Sequence, residues 1–143
     1  VTGTNGRQIR DIGASAVPAQ LNGLMVSEED IRPTIIKGSN TYVSAAGLFS
    51  MRENDVVQAT LEVGRFNRQA DDANPRFQLG FVSQVGGSAP SSARVDDAIV
   101  YFTTASKQRV YVWFRNHVYY ILLIRSDYPQ PRSLLRAALA VQA

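Results

Sequence analysis

Cysteine is absent from the chain and histidine occurs once. No disulfide framework, thiolate zinc site, iron–sulfur cluster or cysteine nucleophile is therefore available, and one imidazole cannot supply a histidine-based metal site. Lysine is scarce as well: thirteen of the fifteen basic residues are arginine, Lys37 and Lys107 being the exceptions. No apolar run approaches the ~18 residues that a membrane-spanning helix needs. The sequence opens on Val1 and not on methionine, as expected of a processed or a trimmed chain, so a signal or lipid-anchor segment is expected only upstream of that residue.

What is present describes one ordinary domain. The chain has 143 residues, 45% of them hydrophobic and 19% charged. A domain of this size buries roughly 68% of the surface exposed by its unfolded chain, which supports a core without covalent staples. The net charge of +3 is small, and the arginines are spread from Arg7 to Arg136 without a block of like charge. Such a distribution offers little electrostatic drive toward nucleic acid, and no tight binding of single strands is expected at physiological ionic strength.

Residues 1–19 are rich in Gly, Ser, Thr, Asn and Ala, with Ile9 and Ile12 among their few large apolar side chains. They read as an arm or linker that docks through those isoleucines, leaving residues 20–143 as a single domain. Leu21, Leu24 and Val26 suggest a first strand. The acids of Ser27-Glu28-Glu29-Asp30 and the position of Pro33 then predict a short helix from Asp30 to Lys37, capped by Gly38.

Two β-like stretches follow, Tyr42 to Met51 and Val56 to Phe66, joined by a turn containing Asn54-Asp55. Asn74-Pro75 starts an amphipathic helix through Phe77, Phe81, Val82 and Val85 that Gly86-Gly87 ends. Ser88 to Ser92 reads as a loop and Ala98 to Thr104 as a strand. Arg109 to Arg115 and Val118 to Arg125 form a hairpin about Asn116-His117. Both of its strands are apolar on both faces, so they belong at the centre of a sheet covered on both sides. A helix from Pro131 closes the chain. The order β, α, β, β, α, β, β, β, α predicts an α+β domain, a single mainly antiparallel sheet with helices packed on it.

The opening Val17-Pro18-Ala19-Gln20-Leu21-Asn22-Gly23-Leu24 and the closing pair of strands plus amphipathic helix resemble the PsbP-like α/β/α sandwich. The resemblance spans roughly residues 18–142. That fold occurs in extrinsic photosystem subunits and in small actinobacterial cell-envelope lipoproteins of the LpqN type. It implies an extracytoplasmic accessory or binding protein without enzymatic chemistry, and it carries no functional residues across.

No cofactor or metal is expected. His117 is the one side chain that titrates near neutrality, yet Asn116-His117 occupies a hairpin turn, where both residues suit an exposed loop. The acidic runs Glu28-Glu29-Asp30, Asp71-Asp72 and Asp96-Asp97 lack the alternating ligands of a calcium loop. No Gly-x-Ser-x-Gly elbow is present, and Gly86-Gly87-Ser88 lacks the lysine of a phosphate loop. Tyr111, Trp113, Arg115 and Arg125 are of the residue types enriched at interfaces, and with Ile9 and Ile12 they are the expected partner-binding positions. The leading expectation is a domain that contacts another protein through its sheet edge, arm or aromatic face. A small-molecule or lipid carrier with a cavity between sheet and helices is the first alternative. A nucleic-acid module is the second.

Overall fold

A computed structural model describes residues 17–32, 42–86 and 89–141. The strands are β1 (Gln20–Leu21), β2 (Leu24–Arg32), β3 (Val43–Glu53), β4 (Val56–Phe66), β5 (Ser91–Val95), β6 (Ala98–Ala105), β7 (Gln108–Arg115) and β8 (Val118–Arg125). Helix α1 (Pro75–Val85) lies between β4 and β5, and α2 (Pro131–Leu139) follows β8. All eight strands form one antiparallel sheet in the order β1-β2-β3-β4-β8-β7-β6-β5. Two meanders thus meet where β4 pairs with β8, and the domain is α+β as its sequence suggests.

Local chemistry fixes the hairpins. Asn54 and Asp55 both have positive φ, as do Asn116 and His117. Paired left-handed residues twist a two-residue connection in the same sense as the strands it joins, and Asn and Asp tolerate that conformation best after glycine. Helix α1 begins where expected: the Asn74 side chain accepts a hydrogen bond from the Arg76 amide at 2.9 Å, and Pro75 fills the first helical position, where no donor is needed.

Alternation along the strands divides the core between two faces. On one, Phe49, Leu61, Trp113, Tyr120, Leu122 and Ile124 pack beneath Leu134, Leu135, Ala138 and Leu139 of α2. On the other, Phe66, Val112, Tyr119 and Ile121 pack with Val82, Phe77 and Phe81 of α1. The two-sided apolar character of β7 and β8 is thereby explained. Val17 packs against the α2-side core, and the Val26 amide donates to the carbonyl of Ala19 at 2.9 Å. Val17 and Ala19 therefore belong to the body of the domain. Ile9, Ile12 and the rest of the arm lie outside the described residues.

Three expectations are corrected. The expected first strand through Leu21, Leu24 and Val26 is two strands, β1 and β2, which pair about a turn at Asn22-Gly23 where both residues have positive φ. Asp30 to Arg32 do not open a helix; they continue β2, with Asp30, Ile31 and Arg32 paired to Leu48, Gly47 and Ala46 of β3. The long β3 supplies a partner for every added residue, which outweighs a weak acidic start signal, and a bulge between Glu28 and Asp30 absorbs the irregular acidic stretch. Residues 33–41, the remainder of that expected helix, lie outside the described residues. A further correction is β5: Ser91 and Ser92, expected in a loop, open a strand. It is the outermost strand, and its side chains are exposed from Ser91 to Arg94, so no apolar alternation marks it.

Burial also sets how the domain responds to base. Tyr120 is fully buried, and loss of water pushes its phenol up to about 12, a shift that the nearby Arg115 charge only partly offsets. Burial raises Tyr119 further, helped by the Glu62 carboxylate, which accepts the phenol proton at 2.5 Å. Folding thus favours the protonated phenols. Their contribution is complete below the unfolded tyrosine value of 10.0 and is lost as pH rises toward the folded values. Each phenol removes up to about 1.4 kcal/mol per pH unit in that window. Unfolding followed by far-UV circular dichroism is expected above pH 10, with Tyr120→Phe moving the midpoint upward. An unchanged midpoint in both Tyr120→Phe and Tyr119→Phe would show that neither phenol governs the transition.

Candidate functional site

Between the start of helix α2 and the outer strands β5, β6 and the start of β7 the packing on the α2 side is incomplete. The result is a groove of about 840 Å³. Its floor carries Ala93 and Val95 of β5, Phe102 of β6 and Tyr111 of β7, with Phe102 and Tyr111 in edge-to-face contact, centroids 5.4 Å apart and planes at 81°. Its wall is the turn Pro129-Gln130-Pro131 and the first turns of α2, including Ser133 and Leu135.

Arginine dominates the rim. Arg109 comes from β7, Arg132 and Arg136 from α2, and Arg94 from the edge strand, against the single carboxylate of Asp96. Asp96 approaches Arg136 at 3.9 Å, the far limit of an ion pair. Among the described residues, Arg94, Arg109 and Arg132 have no carboxylate partner. The start of α2 adds to the positive character: no acidic residue occupies its first turn, and Gln130 makes no side-chain capping bond. The volume falls within the roughly 300–1,000 Å³ of ligand sites, and an aromatic floor beneath guanidinium groups suits ligands that are apolar on one side and anionic on the other.

The partner-binding positions expected from sequence separate in space. Tyr111 lines the groove floor, and only 8% of it is exposed. Trp113 is fully buried, stacked on Tyr120 with centroids 5.2 Å apart and planes at 6°, so it offers no surface to a partner in the folded domain. Arg115 is a structural clamp: its guanidinium donates to the carbonyl of Leu139 at 3.1 Å near the end of α2 and pairs with Asp97 at 3.2 Å. Arg125 pairs with Asp127 at 2.8 Å and borders a separate, shallow polar hollow shared with Glu53 and Tyr128. Arg132 and Arg136 line the groove without being among the expected partner-binding positions. Their spacing of four residues on a helix was the readable signal that they share a face.

His117 is a turn residue, but not a bare one. Its Nδ1 lies 2.8 Å from Oδ1 of Asp72, whose side chain is buried. The Asp72 carbonyl accepts from Gln78, whose own amide oxygen accepts from Tyr101 at 2.6 Å. This chain ties the β7–β8 turn to the loop before α1 and to β6. No hydroxyl is bonded to the second ring nitrogen among the described residues, so the pair has the orienting half of a hydrolytic triad without its nucleophile.

Several acids of the acidic runs have individual partners, although one carboxylate oxygen of Glu28 is buried with no hydrogen-bond partner among the described residues. Asp71 accepts from Asn74, Asp97 holds Arg115, and Glu29 holds Arg52 and accepts a short bond from Ser50 that, with the arginine, lowers its carboxyl below the usual range. No cluster of three metal-ligating side chains occurs among the described residues, and none of their helices is long and apolar enough to cross a membrane. No protein-family model, curated protein or solved structure matches the chain.

Proposed function

We propose that this protein is a non-enzymatic binding domain that docks an acidic segment of another protein in the α2–β5 groove. The observation that carries this reading is the pair of guanidinium groups, Arg109 and Arg132, that have no carboxylate partner among the described residues and stand on the rim of a groove with an aromatic floor. Arginine forks recognise carboxylates in pairs of charge-assisted bonds, and a semi-enclosed rim strengthens them relative to open water. The chain's own arm is a poor occupant, since Arg7 and Arg10 outweigh Asp11. An extracytoplasmic accessory role of the PsbP-like kind agrees with this reading, supported by one helix on each face of the sheet and by the closing hairpin and helix.

The test is direct. A fluorescent peptide alternating Glu and Thr is expected to bind the full chain at low salt and to weaken as salt is added. Arg109→Gln combined with Arg132→Gln is expected to weaken it tenfold or more, at about 1.5 kcal/mol for each hydrogen bond lost to a charged group. Equal binding of a Lys/Thr peptide, or no effect of the double substitution, would overturn the reading. A small amphipathic anion is the second reading, favoured by the groove's volume and by the contact between Phe102 and Tyr111. Competition by an aromatic carboxylate at the same arginines would support it.

A further inference from the structure

The groove has an open side, and that side is a strand edge. Among the described residues strand β5 pairs only with β6, and Val95 and Ala98 flank the two-residue turn Asp96-Asp97. In a two-residue hairpin the flanking pair exchanges both ladder hydrogen bonds, and such pairs then alternate along the strands. Val95, Ala93 and Ser91 therefore direct their amides and carbonyls toward β6. Ser92 and Arg94 direct theirs outward, away from the sheet, and both residues are exposed. Pro90, one alternation further back, has no N–H to offer and closes the free edge at that end.

We propose that β5 accepts a ninth strand, contributed by the acidic segment of the partner, which hydrogen-bonds to Ser92 and Arg94 while its alternate side chains turn into the groove. The inference rests on the groove reading above and adds how the partner lies in it. A strand laid against β5 sits about 4.8 Å further out. Its side chains on the α2 face then extend the floor made by Ala93 and Val95, within reach of the arginine rim, while those on the opposite face flank Arg94. Charge selects against the simplest alternative, a second copy of this chain. Two β5 edges paired antiparallel through Ser92 and Arg94 place their Arg94 side chains opposite or next to each other on one face, where like charges repel. An acidic strand meets the opposite situation.

The experiment uses the isotope-labelled full chain and three peptides: the Glu/Thr peptide, and two versions N-methylated at every second nitrogen in the two alternate registers. The parent is expected to shift Arg109 and Arg132 resonances and to protect the Ser92 and Arg94 amides from hydrogen exchange. One methylated register is expected to bind about tenfold more weakly or worse, because its edge-facing donors are gone, while the other binds like the parent. Ser92→Pro removes one outward donor without touching the β5–β6 ladder, so it is expected to fold normally and to weaken the parent peptide. If both methylated peptides bind like the parent and Arg109→Gln with Arg132→Gln still abolishes binding, the ninth strand is wrong and the groove reading stands. If no peptide shifts Arg109 or Arg132, both fall.

Discussion

Gly64→Ala is expected to destabilise the domain by about 3 kcal/mol or more, through a single methyl group. Gly64 of β4 stands directly opposite Tyr119 of β8, and the Tyr119 ring lies flat across the glycine. A Cβ at residue 64 would fall inside the van der Waals envelope of Cε2, Cζ and the hydroxyl oxygen of that ring. The ring has nowhere to retreat. Phe66 and Phe81 hold it at centroid distances of 5.3 and 4.9 Å, and its hydroxyl is fixed to Glu62. Interiors packed to crystal density relax only in part, so the overlap turns into displaced β8 backbone or an off-rotamer tyrosine. Chemical denaturation of Gly64→Ala, Tyr119→Leu and the double variant separates this clash from a simple strand-propensity effect. Alanine is no worse than glycine in a strand, so in the Tyr119→Leu background Gly64→Ala is expected to cost less than about 1 kcal/mol. A full and additive cost in the double variant would show that the ring is not the cause.

That pair also shows where the sequence stops being legible. The hairpins could be read because Asn54-Asp55 and Asn116-His117 announce left-handed turns locally, and β7 and β8 because greasy-on-both-sides strands have only one place to go. The opposition of Gly64 and Tyr119 depends on β4 pairing with β8, a contact between distant parts of the chain whose register no local pattern encodes. The same holds for the groove. Its floor comes from β5, β6 and β7 and its arginines from β5, β7 and α2, brought together only in the folded domain. Strand β5 escaped because an exposed edge needs no apolar face, which is also why it is suited to receive another strand. The acidic run Glu28-Glu29-Asp30 misled for the converse reason: an excellent pairing partner, β3, overrode a modest helix-start signal.

Trp113 is expected to be the most costly side chain to truncate, and for a reason opposite to the one its composition suggests. An aromatic residue between arginines invites an interface reading, but burial gives Trp113 a role in the core beneath α2. Trp113→Ala is expected to cost about 3–5 kcal/mol, since both faces of the indole lose contact and Tyr120 loses its stacking partner. The indole N–H sharpens the test. It is buried with no hydrogen-bond partner among the described residues, as is the Tyr120 hydroxyl, and an unsatisfied buried polar group costs about 1–3 kcal/mol. Trp113→Phe removes that orphan donor along with part of the ring, so the two effects oppose each other. It is therefore expected to lose less than half of what alanine loses, and Tyr120→Phe to leave stability at neutral pH unchanged or raise it by up to about 1 kcal/mol. Denaturant melts at pH 7 read both differences, and peptide affinity measured on the same variants divides core from interface. A Trp113→Phe protein that melts like the parent yet loses the acidic peptide would place the indole at the binding surface after all, whereas unchanged affinity leaves Trp113 a role in the core alone.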